Sequence, residues 1–147
     1  MKKWILILVA VFYSVVIWAN ENIPGGWEKD IEAALKKAEV ENKNILLLFT
    51  GSDWCGFCKK LEREVLSRKE FQKIAPLKYV MVYFDFPSEK KISPEQMKIQ
   101  KKWQRKFNIS GYPTTIILNS KGEKVKSIEG YSGVRNYLEA LFPELKK

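Results

Sequence analysis

Two cysteines three residues apart, Cys55 and Cys58, are the only thiols in 147 residues, and the chain has no histidine. That second fact removes Ser-His-Asp and Cys-His nucleophile arrangements and every histidine-based metal site. Chemistry must come from cysteine, carboxylates, lysine, tyrosine or the backbone. The pair stands in Trp54-Cys55-Gly56-Phe57-Cys58-Lys59, where an apolar run hands over to a helical pattern. Residues three apart on a helix are neighbours, and small adjustments of a first turn bring their Cβ atoms within disulfide range. At a helix amino terminus, unpaired N–H groups and the dipole favour an anion, so Cys55 is expected to hold the stabilised thiolate. Cys58 shares a face with Leu61 and Val65 and is expected to be more buried and less reactive. Lys59 and Lys60 add positive potential, and Asp53 opposes it.

Several readings of this pair compete. A structural bridge closing so short a loop removes little unfolded-state entropy and staples a domain poorly. Structural zinc needs four ligands, and only a metal shared between two chains would complete the set, so no metal is expected. Covalent haem attachment needs histidine directly after the second cysteine, where Lys59 stands. Free buried thiols fit badly with an oxidising compartment. A redox pair is the reading that the context favours.

The elements that must position the pair follow from hydrophobic spacing. Trp27, Ile31, Leu35 and Ala38 recur at helical intervals. Ile45–Phe49 is a continuous apolar run suited to a strand buried on both faces, followed by the turn-forming Thr50–Asp53. Ser67-Arg68-Lys69-Glu70 has the form of a capping box, predicting a helix through Ile74 that Pro76 stops. Tyr79–Phe84 is rich in strand formers, and Pro87–Ile92 is a polar loop. Ser93-Pro94-Glu95-Gln96 opens the next helix, with Ser as cap and Pro at the first helical position; Ile99, Trp103 and Phe107 are its expected buried stripe. Thr114–Leu118 and Lys124–Glu129 flank Asn119-Ser120-Lys121-Gly122, a hairpin signal. A final amphipathic helix spans about Val134 to Phe142. The order α-β-α-β-α-β-β-α predicts an α/β fold, a sheet with helices on both faces.

The first residues read differently. Met1–Lys3 is basic, Trp4–Ile17 is apolar except for Ser14, and Ala19 is a small residue suited to cleavage, the outline of a secretory signal peptide. A membrane span needs about 20 apolar residues, more than this run supplies. Residues 1–19 are therefore expected to be a signal peptide and 20–147 one domain, periplasmic or secreted, with no stable membrane anchor after cleavage. The formal charge of +9 falls to +7 once Lys2 and Lys3 leave. Much of it lies in Lys98, Lys101, Lys102, Arg105 and Lys106, read as a solvated helix face rather than a nucleic-acid groove.

Phe49–Leu61 (F-T-G-S-D-W-C-G-F-C-K-K-L) resembles the active-site turn of the thioredoxin superfamily, especially its exported branch. Gly111-Tyr112-Pro113-Thr114 is similar to that family's cis-proline loop, and Gly130 matches a glycine before its last helix. The resemblance spans about Trp27 to Leu141. It implies an α/β thioredoxin-like fold, a central mixed sheet with helices on both faces, and thiol-disulfide oxidoreductase activity on the disulfides of exported proteins. Cys55 would attack a substrate disulfide and Cys58 would resolve the mixed disulfide. Trp54, Gly56, Phe57 and Lys59 would form the surroundings of the pair, and Tyr112 and Pro113 would contact substrate. No cofactor is implied, because electrons pass by thiol exchange with a redox partner protein; a monomer is expected. Two departures stand out. The family's buried aspartate is replaced by Leu48-Phe49, and its lysine partner falls near Tyr83, leaving Asp53 or water as substitutes for proton transfer at Cys58. Potentials of such pairs differ by on the order of 150 mV, about 7 kcal/mol, so oxidase, isomerase and reductase directions stay open, with a slight lean to reductase. The competing classes are a binding module with a permanently closed bridge and a dedicated electron carrier to one partner.

Overall fold

The computed structural model describes residues 25–146; the expected signal peptide and the start of the predicted domain lie outside them. Five strands form one sheet in the order β1-β3-β2-β4-β5. β1 (Trp27–Glu28), β3 (Tyr79–Asp85) and β2 (Asn44–Thr50) run parallel, while β4 (Thr114–Leu118) is antiparallel to β2 and β5 (Lys124–Glu129) is antiparallel to β4. Helices cover both faces, giving the mixed α/β sheet expected from the sequence.

β2 occupies the centre because its residues are apolar in both registers. Successive side chains on a strand point to opposite faces. Ile45, Leu47 and Phe49 therefore join Val80, Val82 and Ile116 under α1 (Ile31–Glu41) and α4 (Pro94–Lys106). Leu46 and Leu48 join Met81, Tyr83 and Ile117 on the other face. There they meet α2 (Gly56–Leu61), a π-helical turn (Glu62–Leu66), α3 (Lys69–Lys78) and α5 (Val134–Leu141). β5 is an exposed edge, and its Lys124 and Lys126 discourage further pairing. The β4–β5 hairpin closes through Asn119, whose Oδ1 accepts N–H groups from Lys121 and Glu123, with Gly122 at φ +80°.

Four local expectations are corrected. Trp27 is not helical: Asp30 caps α1 by accepting from Glu32 and Ala33 N–H at 2.9 and 3.2 Å. The helix thus starts at Ile31, and Trp27 is free to pair as a strand with Met81 and to meet Tyr83 edge-on at 5.7 Å. The capping box does not form, because Ser67 donates its hydroxyl to Glu62 instead, and Arg68 takes the cap position with no side-chain bond. Pro76 lies inside α3 rather than ending it. In the last turn it forfeits a single N–H bond, and Tyr79 N–H closes the helix on Ala75 O. Ile99 is 40% exposed, and Gln100 is buried beside Trp103 in its place. Gln100 is kept because its amide satisfies the end of β3, donating to Asp85 O at 2.6 Å and accepting from Asp85 N–H at 3.1 Å.

Candidate active site

Cys55 and Cys58 sit where β2 ends and α2 begins. Gly51 O accepts Cys55 N–H at 2.9 Å, closing the turn that delivers Cys55 to the helix cap position with extended backbone (φ −83°, ψ 110°). The two cysteines are joined by a disulfide with Cα atoms 5.2 Å apart. Cys58 N–H points at Cys55 Sγ at 3.2 Å, a donor placed to stabilise negative charge on that sulfur. Both residues are buried, at 6% and 3% exposure, so the sulfurs are reached along one edge rather than from all sides.

That edge is formed by the loop before β4. The Tyr112–Pro113 peptide bond is cis, and Tyr112 O lies 3.6 Å from Cys55 Sγ. The loop is tied at both ends: Thr114 Oγ1 donates to Gly111 O, and Gly130 N–H donates to Pro113 O, each at 2.8 Å. Gly130 does this at φ +72°, a conformation that suits glycine. Tyr112, Pro113 and the cysteines, 54 residues or more apart in sequence, thus meet at one point.

Aromatic rings surround it. Trp54 is half exposed, packs edge-on against Tyr112 at 5.7 Å and donates its indole N–H to Phe86 O at 2.8 Å. Its ring lies across Gly51, where a Cβ would come within 2.5 Å of the indole. Phe86 continues the row, 5.4 Å from Tyr112 and stacked at 6.4 Å on the core residue Phe49. Phe57 is 61% exposed and, with Trp54, offers apolar surface beside the sulfurs. Gly56 is exposed with open space where a Cβ would stand, so packing does not demand glycine there. Lys59 is exposed.

The turn before Cys55 is locked by two carboxylates, Asp85, which the sequence reading passed over, and Asp53, which it offered as a substitute for proton transfer at Cys58. Asp85, at the end of β3, accepts Ser52 N–H at 2.9 Å and the Ser52 hydroxyl at 2.5 Å. Asp53 accepts backbone N–H groups from Ser88, Glu89 and Lys90 at 2.8–3.0 Å. These bonds, that of Ser88 foremost, hold its carboxyl down to about 2. Asp53 therefore pins the 86–92 loop and does not line the cavity that Cys58 borders.

A different carboxylate stands behind the pair. Glu62 follows Cys58 by one turn, its N–H bonded to Cys58 O, and burial pushes its carboxyl up from the ordinary value. Cys58 and Glu62 line one cavity of about 340 Å³ with Thr50, Lys59, Ser67 and Tyr83. The i, i+4 spacing from Cys58 was the signal for this residue. Among the described residues there is no cluster of three or more His, Cys, Asp or Glu suited to a metal, and no helix long and apolar enough to cross a membrane.

Comparison with known proteins agrees with this geometry. The model of the thioredoxin-like domain family matches residues 31–144. The chain is similar to the disulfide bond reductase DsbH of Chlamydia pneumoniae, 31% identical over 99 residues that cover 67% of this chain and 59% of that protein. It is similar also to the thioredoxin-related protein DsbJ of the same organism, 29% identical over 109 residues, 71% of this chain and 30% of that one. The chain thus spans less than two thirds of either curated relative. A solved structure of a DsbH oxidoreductase superposes with a TM-score of 0.72 at 28% identity, covering 82% of this chain and 83% of that chain.

Proposed function

The chain belongs to the thioredoxin-like domain family, and from that premise we propose that it is a thiol-disulfide oxidoreductase acting on disulfides of exported proteins, in the reductase direction. The observation that carries the reading is the Cys55–Cys58 disulfide at the start of α2, with Cys55 Sγ 3.6 Å from the Tyr112 backbone oxygen. In the reduced protein the Cys55 thiolate, supported by Cys58 N–H, attacks one sulfur of a substrate disulfide. One substrate thiolate leaves and a mixed disulfide forms. Cys58 then attacks Cys55 Sγ, restoring the internal bridge and expelling the second substrate thiol; the two electrons come from the cysteine pair. A redox partner protein returns those electrons.

Trp54, Phe57, Tyr112 and Pro113 form the proposed substrate surface, with Gly56 and Lys59 completing the surroundings of the pair. An extended substrate strand hydrogen-bonds the Tyr112 backbone while its apolar side chains rest on Trp54 and Phe57. The reading places the protein in the periplasm or outside the cell as a monomer, on the strength of the Met1–Ala19 leader pattern and the closed disulfide. The relative named a disulfide bond reductase supports the direction.

Insulin reduction with dithiothreitol as donor tests the activity. Wild type should precipitate the insulin B chain well above the uncatalysed rate, and Cys55→Ser should return it to background. A glutathione or dithiothreitol redox series then sets the direction. A value near about −270 mV supports a reductase, and one above roughly −180 mV turns the reading toward disulfide formation or isomerisation. A bridge that no dithiothreitol concentration opens would leave a binding module.

A further inference from the structure

α4 carries its charge on one side only. Its single acid, Glu95, stands in the first turn, and from Met97 onward every charged residue is a cation. Lys98, Lys101, Lys102, Arg105 and Lys106 recur at i, i+3, i+4, i+7 and i+8, which places them on one helix face, and all five are exposed. The buried Gln100 and Trp103 lie on the opposite side. Lys106 rests over the Trp103 ring at 4.3 Å. Among the described residues, none of the other four belongs to an ion pair, whereas Lys37 and Lys43 at α1 each take a glutamate. Like charges four apart on a helix repel, so Lys98 with Lys102 and Lys101 with Arg105 both weaken α4. Arg105 and Lys106 complement the carboxyl end of the helix dipole. Lys98, Lys101 and Lys102 stand too early in the helix for that.

The fold sets this stripe beside the redox site. Gln104 donates its amide to the Tyr112 hydroxyl at 2.5 Å. Gln100 holds Asp85, which accepts from Ser52 in the turn before Cys55. Lys101 precedes Gln104 by three residues and Arg105 follows it directly, so both border the helix edge that touches Tyr112. Tyr112 belongs to the proposed substrate surface, and its backbone oxygen lies 3.6 Å from Cys55 Sγ. A protein seated there continues onto the cations. Four of the five are lysines, compact charges on flexible stems that attract an acidic surface without demanding one geometry. An anionic bilayer would meet the same charges, yet the edge shared with Tyr112 ties the stripe to whatever Cys55 engages, and that is a protein disulfide.

We propose that the exposed cations of α4 are a docking surface for acidic substrate proteins, those whose disulfide is flanked by aspartate and glutamate. This rests on the exchange reading above and names its substrate class. The stripe draws such a protein in and orients its disulfide toward Cys55, so its effect falls on encounter rather than on the sulfur chemistry. KM and kcat/KM therefore carry the effect, and kcat does not.

The test uses short synthetic peptides, each closed by one disulfide and differing only in carrying Glu, Gln or Lys on either side of the cysteines. Dithiothreitol is the donor, returning two electrons to the Cys55–Cys58 pair in each turnover. Wild type should reduce the acidic peptide with a kcat/KM roughly tenfold or more above that for the basic one at about 20 mM salt. The ratio should fall toward one at about 0.5 M, where charges are screened over a few ångströms. That salt series reads the steering without any substitution. Replacing Lys98, Lys101, Lys102 and Arg105 together by Gln should cut the preference to within about threefold. Its kcat should be unchanged, and its turnover of the neutral peptide should stay within twofold of wild type. A control with the same loss of net charge, Lys69, Lys73, Arg135 and Lys146 replaced by Gln on α3, α5 and the carboxyl end, should keep the preference. Equal kcat/KM for the three peptides in wild type, a preference that survives high salt, or equal losses in the two variants would each overturn the proposal. So would wild type that shows no peptide preference yet co-sediments with phosphatidylglycerol vesicles, which gives the stripe to a membrane. Wild type that reduces none of the peptides would instead remove the exchange reading itself.

Discussion

Asp53 and Glu62 bracket the cysteine pair, two residues before Cys55 and four after Cys58, and the protein treats these two carboxylates in opposite ways. Asp53 lies at the outer rim, where three backbone N–H groups converge on it and hold its carboxyl down to about 2. Glu62 lies at the inner side, with one serine hydroxyl for a partner and enough burial to push its carboxyl up. An acid stabilised as an anion by fixed donors is a structural pin, since protonation would break those bonds. One whose charged form burial disfavours is held toward its protonated form. Pairs of titratable groups driven apart in this way mark a division of roles. Here the outer acid orders the 86–92 loop, whose Phe86 carbonyl anchors Trp54, and the inner acid lines the same cavity as Cys58.

The largest expected effect comes from moving the acid. Leu48 is 1% exposed within the apolar cluster that includes Leu61 and Tyr83. Leu48→Asp would place a carboxylate there without a built partner, at a cost of about 3–5 kcal/mol for an uncompensated buried charge. Urea unfolding at pH 7 measures this. A loss under about 1 kcal/mol, the scale of an ordinary point mutation, would mean that the strand face tolerates an acid as readily as the cavity does. The contrast drawn from Glu62 would then dissolve.

Next in size is the contrast in turnover. Asp53→Asn keeps the shape and removes the charge on which the loop amides converge. Insulin reduction should stay within twofold of wild type. Amide exchange at Ser88, Glu89 and Lys90 should accelerate about tenfold in Asp53→Asn as charge-assisted bonds become neutral ones. If Asp53→Asn slowed turnover tenfold, the outer acid would serve the sulfurs as well as the loop.

How much of this could be read from the chain alone depends on the range of the interaction involved. The Cys55–Cys58 turn, the buried β2 and the proline loop were legible because each is a contiguous pattern of residue types. The α/β layering followed from the order of those patterns, and the mixed sheet from the resemblance they carry. Trp27, Pro76 and the Ser67 capping box were misread because local signals competed with partners elsewhere. Met81 claimed Trp27 for the sheet, and Glu62 claimed the Ser67 hydroxyl. Gln100 was missed because a polar residue on a helix face carries no sign that a strand end 15 residues upstream will need both its amide groups. Asp53 and Glu62 were visible as letters. Their opposite environments were not, since the N–H groups of 88–90 and the walls of the cavity come from other segments.

The smallest effect separates the two acids by pH alone. Asp53 is held below its ordinary value of 3.8, at about 2. Its contribution to stability is therefore complete above about pH 4 and lost as pH falls through 2. Glu62 is raised above 4.5, so the protonated form is the one folding favours. Its contribution is complete below 4.5 and is lost as pH rises through the raised value. Glu62→Gln, which cannot ionise, should thus melt higher than wild type at pH 7, by a few degrees, with the difference closing by pH 4. Asp53→Asn should melt lower at pH 7 and converge on wild type only near pH 2. Thermal melts of the three proteins between pH 2 and 7 give two difference curves of opposite sign with separate midpoints. Curves of the same sign, or a shared midpoint near 4, would show that both carboxyls titrate as exposed groups, and the contrast between the two environments would fail.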